Sequence, residues 1–127
     1  MVKLFERFND DKKLEQDIND ILVELRDMQI NWKIDITSDK FRKIYNECNL
    51  IIDINGSWLS DRIVLFNNKD VYPYFMMLDE YLEKYNAKLI SIQYYATVNG
   101  GTFTEIPQNE DIELISSIRI IYKWDEN

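Results

Sequence analysis

Residues 70–85 read DVYPYFMMLDEYLEKY, and the spacing of their apolar side chains leaves few folds open. These side chains recur at the i, i+3, i+4, i+7 offsets of one helical face. The positions are Val71, Tyr74, Phe75, Leu78, Leu82 and Tyr85. The pattern predicts a helix that Asp70 caps, that carries Pro73 in its first turn, and that ends at Asn86. A helix with so much aromatic mass on one face has to pack on a core.

A second helical pattern covers residues 11–28. Its apolar positions are Leu14, Ile18, Ile21, Leu22, Leu25 and Met28. Asn9 or Asp10 is the expected N-cap, because either side chain accepts hydrogen bonds from the free amides of the next turn. Residues 1–9 are then a short N-terminal leader segment, and the acids of the helix occupy the face opposite the apolar stripe.

The pattern then changes to alternation. Residues 30–36 alternate strictly, which predicts a strand with one buried face. Residues 50–54 form a β-branched run before the turn signal Asn55-Gly56, and residues 62–66 are expected to pair back across 57–61. Residues 88–96 predict a strand with Ile90, Ile92, Tyr94 and Ala96 on one side.

The remaining segments are less uniform. Asn99-Gly100-Gly101 predicts a turn, 102–106 is a hairpin arm or a loop, 107–111 is a loop, and 112–124 is a strand. Residues 37–48 fit a helix slightly better than a strand, and the sequence leaves this choice open.

These elements predict one domain over residues 1–127 of class α+β. It has two layers, with two main helices packed on one face of a mostly antiparallel sheet of four to five strands. The single cysteine, Cys48, has no disulfide partner within the chain, which fits a reducing cytoplasm. The charged N-terminal residues lack the apolar region of a signal peptide, and no apolar run approaches the length of a membrane span.

The formal net charge is −8. Seven acids face three bases in residues 10–27, and residues 105–113 hold four acids and no base. These two patches account for the whole excess, which argues against direct binding to nucleic acid or to an anionic membrane. Solubility explains an acidic surface by itself, and the sharper interpretation is a surface that meets a basic partner or imitates nucleic acid.

No pattern in the chain predicts a specific chemistry. Histidine is absent, which removes the usual general base and most zinc sites. A calcium loop starting at Asp53 fails at its sixth and twelfth positions, which are Trp58 and Val64. Asp35, Asp53 and Lys33 resemble the acid–lysine strand of metal-dependent nucleases, although such pairs are common on solvated strands. We expect no catalytic residue, metal or cofactor, and the sequence leans against an enzyme.

Several aromatic and methionine side chains fall outside the buried stripes: Trp58, Tyr72, Met76, Met77, Tyr81, Tyr95 and Phe103. Tyr, Trp and Met are enriched at protein contact surfaces. The alternative is that they cover the edges of the core. A cluster of exposed aromatics would favour an interface, whereas scattered ones would not.

The start KLFERFN at residues 3–9, the run DINDILVELRD at 17–27 and the end SIRIIYKW at 117–124 resemble small uncharacterised accessory proteins of tailed bacteriophages. The abundance of Asn, Ile, Lys and Tyr, typical of AT-rich genomes, is similar to theirs as well. The resemblance covers the two ends of the chain and carries over no catalytic residue. It implies a phage accessory protein made in a bacterial cytoplasm.

The leading hypothesis is therefore a non-enzymatic acidic module that binds or inhibits a host protein with a basic surface. The alternatives are a structural or virion-associated protein that assembles with itself through a sheet edge or exposed aromatics, and a small metal-dependent nuclease or small-ligand-binding protein. The predicted binding surface consists of Asp17, Asp20, Glu24, Asp27, Glu105, Glu110, Asp111, Glu113, Trp58 and Tyr72.

Overall fold

The computed structural model describes residues 2–37, 48–98, 102–106 and 115–124, and it has the predicted α+β architecture. Helix α1 (Val2–Leu22) continues as a 3₁₀ segment (Val23–Met28), and α2 spans Asn68–Glu83. The strands are β1 (Ile30–Ile36), β2 (Leu50–Gly56), β3 (Trp58–Leu59), β4 (Arg62–Ile63), β5 (Ala87–Val98), β6 (Thr102–Ile106) and β7 (Ser117–Trp124).

Five of these strands form one sheet in the order β1-β2-β7-β5-β6. Each strand runs antiparallel to its neighbours. Strands β3 and β4 pair with each other as a separate two-stranded hairpin. The central strand β7 comes last in the chain and joins the β1–β2 pair to the β5–β6 pair.

The core lies between the two helices and one face of the sheet. In α2 the predicted stripe is confirmed, since Val71, Leu78 and Leu82 are buried and its aromatic members pack against them half-buried. In α1 and the 3₁₀ segment the buried positions are Leu14, Ile18, Leu22 and Leu25. The sheet contributes directly paired apolar residues of β2 and β7, such as Ile52 opposite Ile120.

Both helices begin earlier than the capping residues suggested. Helix α1 starts at Val2, so residues 2–9 belong to the same helix as the predicted stripe. A capping side chain stabilises a helix that begins at the capping residue. It does not prevent a helix from beginning earlier in the chain and continuing through that residue. Helix α2 follows the extended residue Asn67, which places Asp70 inside the first turn and not at the cap. Pro73 is then the sixth residue, where its ring removes the amide that would bond the carbonyl of Lys69.

The prediction of a turn at Asn55-Gly56 is wrong. Strand β2 runs through both residues, and Gly56 pairs with Ile30 of β1. The reversal occurs at Ser60 and Asp61, between β3 and β4, and Ser60 has the left-handed φ of 58° that such a tight loop requires.

The segment 62–66 was predicted to pair back on 50–54, which is also wrong. Strand β4 pairs with β3, and Phe66 instead forms an isolated bridge to Ile115.

Strand β5 contains a bulge that the alternation did not reveal. Leu89 pairs with Tyr122 and Ser91 with Ile121, so Ile90 is an extra residue. Its side chain is 47% exposed, whereas Leu89 and Ile92 pack on the core. Ile90 therefore does not share the buried face of Ile92 and Tyr94, as the pattern had indicated.

The strand of residues 102–106 is confirmed as a hairpin arm that pairs with β5. Residues 38–47, 99–101 and 107–114 lie outside the described part of the chain. The predictions for 37–48, for the Asn99-Gly100-Gly101 turn and for the 107–111 loop fall there. Within the described ranges, no helix combines the length and apolarity needed to cross a membrane.

Candidate binding surfaces

Four acidic side chains of α1 and the 3₁₀ segment form a row, which we call the acidic strip: Asp17, Asp20, Glu24 and Asp27. Their spacing of three and four residues keeps them on one side of a helix. Asp20, Glu24 and Asp27 are exposed, and Asp17 is half-buried. The structure therefore brings these four predicted residues together on the outer surface of the helical layer.

Two tyrosines of α2 reach across to this strip. The Tyr81 hydroxyl donates to Asp17 Oδ2 at 2.5 Å, and the Tyr74 hydroxyl donates to Glu24 Oε2 at 2.8 Å. Lys13 Nζ lies 4.0 Å from the same Asp17 oxygen. Asp17 and Glu24 thus hold α2 against α1, which is a structural role that the sequence did not show.

These contacts change the acidity of the tyrosines. Burial, followed by the hydrogen bond to Asp17, raises the pKa of Tyr81 above its usual value. The hydrogen bond to Glu24 is the main cause that raises the pKa of Tyr74. Both hydroxyls stay protonated at neutral pH, so both remain donors to the carboxylates.

The same two contacts fix the register of the helix pair. Seven residues separate Asp17 from Glu24, and seven separate Tyr74 from Tyr81 in the opposite direction. The helices are therefore antiparallel, and Met77 lies level with Ile21, next to Asp20. Met77 is about half-exposed, and its spacing of three residues from Tyr74 and four from Tyr81 places it on the side of α2 that meets α1. A partly apolar surface consequently borders the acidic strip.

A second exposed surface is the β3–β4 hairpin. Trp58 is 63% exposed, and Leu59 and Leu65 are close to half-exposed. By contrast, Tyr72 is half-buried, with its ring centroid 6.2 Å from that of Phe75. Tyr81 and Tyr95 are half-buried as well. Of the predicted aromatic contact residues whose side chains are described, Trp58 is thus the exposed one, and Tyr72 lies half-buried beside Phe75.

The second predicted acidic patch is not a single loop. Glu105 lies in β6, where it pairs with Tyr95 of β5. Residue 105 therefore belongs to the hairpin arm, one of the two alternatives left open for 102–106. Glu110, Asp111 and Glu113 lie outside the described residues.

The sheet face away from the core carries polar cross-strand pairs. Asp53 accepts hydrogen bonds from Arg119 Nε at 2.8 Å and Arg119 Nη2 at 3.1 Å. Beside them, the Ser117 hydroxyl donates to Asn55 Oδ1 at 2.7 Å. These four residues and Tyr95 line a shallow depression of about 340 Å³.

This face bears on the nuclease hypothesis. Asp53, one of its candidate acids, is held by a two-point contact with Arg119, which satisfies the carboxylate without a metal. Among the described residues there is no group of three or more His, Cys, Asp or Glu placed to hold a metal ion. Cys48 is buried, and burial raises the pKa of its thiol, which disfavours the reactive thiolate.

No protein-family model, curated protein or solved structure matches the chain. The functional argument consequently rests on the surfaces described above. Met77, Leu59 and Leu65 belong to those surfaces but were not among the predicted binding residues, because their exposure depends on helix register and on the hairpin. The helical spacing of 70–85 already placed Met77 outside the buried stripe, but exposure alone did not single it out as a contact residue.

Proposed function

We propose that this chain is a non-enzymatic protein-binding module whose acidic strip, bordered by Met77, takes a basic surface of another protein. The observation that carries this proposal is the separation of charge between the two layers. Residues 11–28 and 68–83 of the helical layer hold ten acidic and four basic side chains. Strands β1, β2 and β7 with residues 87–96 of β5 hold two acidic and four basic ones.

This asymmetry has a physical consequence for association. A layer with an excess of six negative charges attracts a basic partner over a distance of about a Debye length, roughly 8–10 Å at physiological salt. The attraction orients the partner toward the helices and away from the sheet. Such steering raises the rate of association and selects among partners more than it adds to final affinity.

Met77 supplies a contact of a different kind. A methionine side chain is flexible and polarisable, so it fits partner surfaces of varied shape. Methionine and tyrosine are both enriched at interfaces. Together with Tyr74, which lies where the two helices meet, the methionine fits a surface with an apolar centre and a charged rim. This arrangement supports binding, and it needs no reacting group.

The resemblance to tailed-phage accessory proteins extends the proposal to the setting. On that basis the partner is a protein of the bacterial host, bound or inhibited in the host cytoplasm. The acidic strip is the surface we assign to it, and the partner's basic patch is the complement. No direct contact with nucleic acid is part of this proposal, since phosphates would be repelled by the helical layer.

The alternatives receive uneven support. Assembly through the β1 edge is disfavoured by Lys33 and Asp35, because charged side chains on an edge strand oppose pairing with another chain. A small-ligand function has one observation in its favour, the depression lined by Asp53, Asn55, Tyr95, Ser117 and Arg119. We place it second.

The test changes two exposed acids of the strip other than the pair that accepts hydrogen bonds from α2. In the double variant Asp20→Lys, Asp27→Lys, the carboxylates of Asp17 and Glu24 stay in place to hold the helix pair. A tagged protein captures its partner from bacterial lysate, and the affinity is then measured with the purified partner at low and moderate salt. We expect the double variant to bind at least about tenfold more weakly, which is roughly 1.4 kcal/mol.

The matched control is Glu80→Lys, Glu83→Lys, which makes the same change in net charge on exposed residues of α2 away from the strip. It should bind nearly as well as the original chain. Equal loss in both variants would mean that overall charge, and not the strip, decides binding. Undiminished capture by the Asp20, Asp27 variant would reject the acidic strip as the contact surface.

A further inference from the structure

The depression on the outer face of the sheet, away from the helices, has a volume of about 340 Å³. Its lining residues belong to two neighbouring rows of directly paired residues that cross the sheet from β2 through β7 to β5. The two rows lie about 7 Å apart along the strands, and three adjacent strands span about 10 Å. The depression is therefore wide enough for one small ring with its substituents. The lining residues are Asp53, Asn55, Tyr95, Ser117 and Arg119.

The two charges in the depression cancel each other. The Asp53 carboxylate accepts two hydrogen bonds from the Arg119 guanidinium, so the pair is neutral as a unit. The side chain of Asp53 is 18% exposed and that of Arg119 is 42% exposed, so a small molecule can reach both. An anionic ligand would compete with Asp53 for the guanidinium, and a cationic ligand would compete with Arg119 for the carboxylate. The pair therefore favours a ligand without charge.

The polar groups around this pair include both donors and acceptors. Asn55 Oδ1 accepts from the Ser117 hydroxyl, and Asn55 Nδ2 has no hydrogen-bond partner among the described residues. Gln93, which lies opposite Arg119, is in the same situation. Its Oε1 accepts from the Tyr95 hydroxyl at 2.8 Å, and within the described ranges its Nε2 has no partner. A matching ligand consequently has to accept as well as donate, and to do so at several points of its surface.

Tyr95 gives the depression an aromatic side. Its hydroxyl bonds to Gln93, which precedes it by two positions on the same strand and therefore shares its face of the sheet. The ring is thus held along β5 instead of extending straight into solvent, and it is half-buried. A ring fixed in this way offers an apolar face to a ligand and needs no rearrangement to do so.

We propose that this depression binds a neutral polyhydroxyl ligand, which is the chemistry of one saccharide unit. Each hydroxyl of a sugar both donates and accepts, the molecule carries no charge, and the C–H side of its ring packs on an aromatic face. A nucleobase fits less well, because its polar atoms lie on its edges and its flat apolar face would cover the Asp53–Arg119 pair. The depression is shallow, so the saccharide unit is either a free monosaccharide or one residue of a longer glycan.

The site is on the opposite side of the sheet from the helices. Capture of a basic partner by the acidic strip and binding of a sugar in the depression therefore succeed or fail separately. A small ligand held by few groups in a shallow site binds weakly, so we expect a Kd on the order of 1–10 mM.

Amide NMR spectra of the ¹⁵N-labelled full chain test the proposal, because the side-chain amides of Asn55 and Gln93 report directly on the site. The probes are D-glucose, D-galactose, N-acetyl-D-glucosamine and maltotriose, each raised to about ten times the expected Kd. We expect at least one of them to shift both side-chain signals with saturation. Tighter binding of maltotriose than of D-glucose identifies a residue of a glycan as the ligand, and the reverse order identifies a free monosaccharide.

Two variants remove different parts of the site. Asn55→Leu deletes the side-chain amide at nearly constant volume and should raise Kd at least about fivefold, as expected for a lost hydrogen bond. Tyr95→Leu deletes the aromatic face and should weaken binding by a similar factor. The matched control is Asn31→Leu, because Asn31 lies directly opposite Asn55 on β1 but does not line the depression. It should leave Kd unchanged. Thermal midpoints show whether each variant is folded, and Tyr95→Leu carries the test if Asn55→Leu is not.

Three results would overturn the proposal. The first is that no sugar shifts the Asn55 and Gln93 side-chain signals at the highest concentration. The second is that sodium phosphate or adenosine shifts them where the sugars do not, which would assign the site to an anion or to an aromatic ligand. The third is a Kd for sugar that stays the same in every folded variant of the site.

Discussion

At the scale of single residues, two carboxylates of the acidic strip also join the two helices to each other. Asp17 and Glu24 were predicted as partner contacts, and the structure shows that they accept hydrogen bonds from Tyr81 and Tyr74. Spacing along a helix cannot reveal such contacts, because they depend on which element packs alongside. Gly56 is a similar case, since its neighbour Val64 is eight residues away and joins it only through the hairpin.

Gly56 gives the sharpest prediction at this scale. In Gly56→Ala the new Cβ would lie 1.7 Å from the Val64 carbonyl oxygen, which is backbone and cannot rotate away. The hairpin or the end of β2 has to move, so we expect a loss of about 3 kcal/mol in the free energy of unfolding. Urea denaturation followed by tryptophan fluorescence measures this loss.

Ser60→Gly is the control for that experiment. Ser60 has a φ of 58°, which glycine adopts without strain, so the free energy of unfolding should change by less than about 1 kcal/mol. If Gly56→Ala unfolds at the same urea concentration as the original chain, the close approach of β2 and Val64 is not tight in solution.

At the scale of elements, periodicity predicted most of the structure. The buried stripes of α1 and α2 and the strands β1, β5 and β7 follow directly from spacings of 3.6 and 2 residues. The bulge at Ile90 was not predicted, because residues 90, 92, 94 and 96 of β5 alternate regularly in the sequence. Alternation alone does not show which residue of a strand lacks a pairing partner. The pairing with β7 decides it, and pairing partners are not visible in one sequence.

The bulge gives a prediction about a deletion. Without Ile90, the strand would keep Leu89 opposite Tyr122 and Ser91 opposite Ile121, in unbroken alternation. We expect the deletion of Ile90 to fold with a change in unfolding free energy within about 2 kcal/mol. Circular dichroism and urea denaturation follow the outcome.

Deletion of Gln93 is the matched comparison. It shifts the following residues by one position, so Tyr94 would leave the core and the chain should not fold cooperatively. Two deletions of equal effect would contradict the assignment of Ile90 as the extra residue.

At the scale of the whole molecule, the α+β class and the single antiparallel sheet are those expected from the order of elements. The division of charge between helices and sheet could be read in outline from the acids of residues 10–27. The exposed β3–β4 hairpin could not be predicted from the sequence, because its two strands are too short for any periodic signal. The contact surfaces therefore depend on tertiary arrangement more than the fold does.

Several buried hydroxyls make the whole fold sensitive to alkali. Burial is the main cause that raises the pKa of Tyr81 and of Tyr122, whose hydroxyl donates to Asp79 at 2.9 Å. In the unfolded chain a tyrosine loses its proton near pH 10, so above that pH the unfolded state binds fewer protons than the native state. Stability should be fully present below about pH 10 and should fall as the pH rises further.

Urea midpoints measured from neutral pH to about pH 11 test this dependence. Tyr81→Phe should lose about 1–2 kcal/mol at neutral pH, since the hydrogen bonds of this hydroxyl with Asp17 and Tyr85 disappear, and should show a shallower alkaline decline. An alkaline decline of unchanged slope in Tyr81→Phe would show that this hydroxyl does not contribute to it.

The position of β7 in the sheet has a consequence for synthesis. Of the described strands, β7 is synthesised after the other four of its sheet, and it lies at the centre between β2 and β5. While residues 117–124 are still inside the ribosome, the β1–β2 and β5–β6 pairs have no shared neighbour, and each exposes an open edge. The sheet therefore closes only after these residues have emerged, in a step that brings together segments more than sixty residues apart. Until then, the open strand edges of the two pairs have to be kept from pairing with other chains.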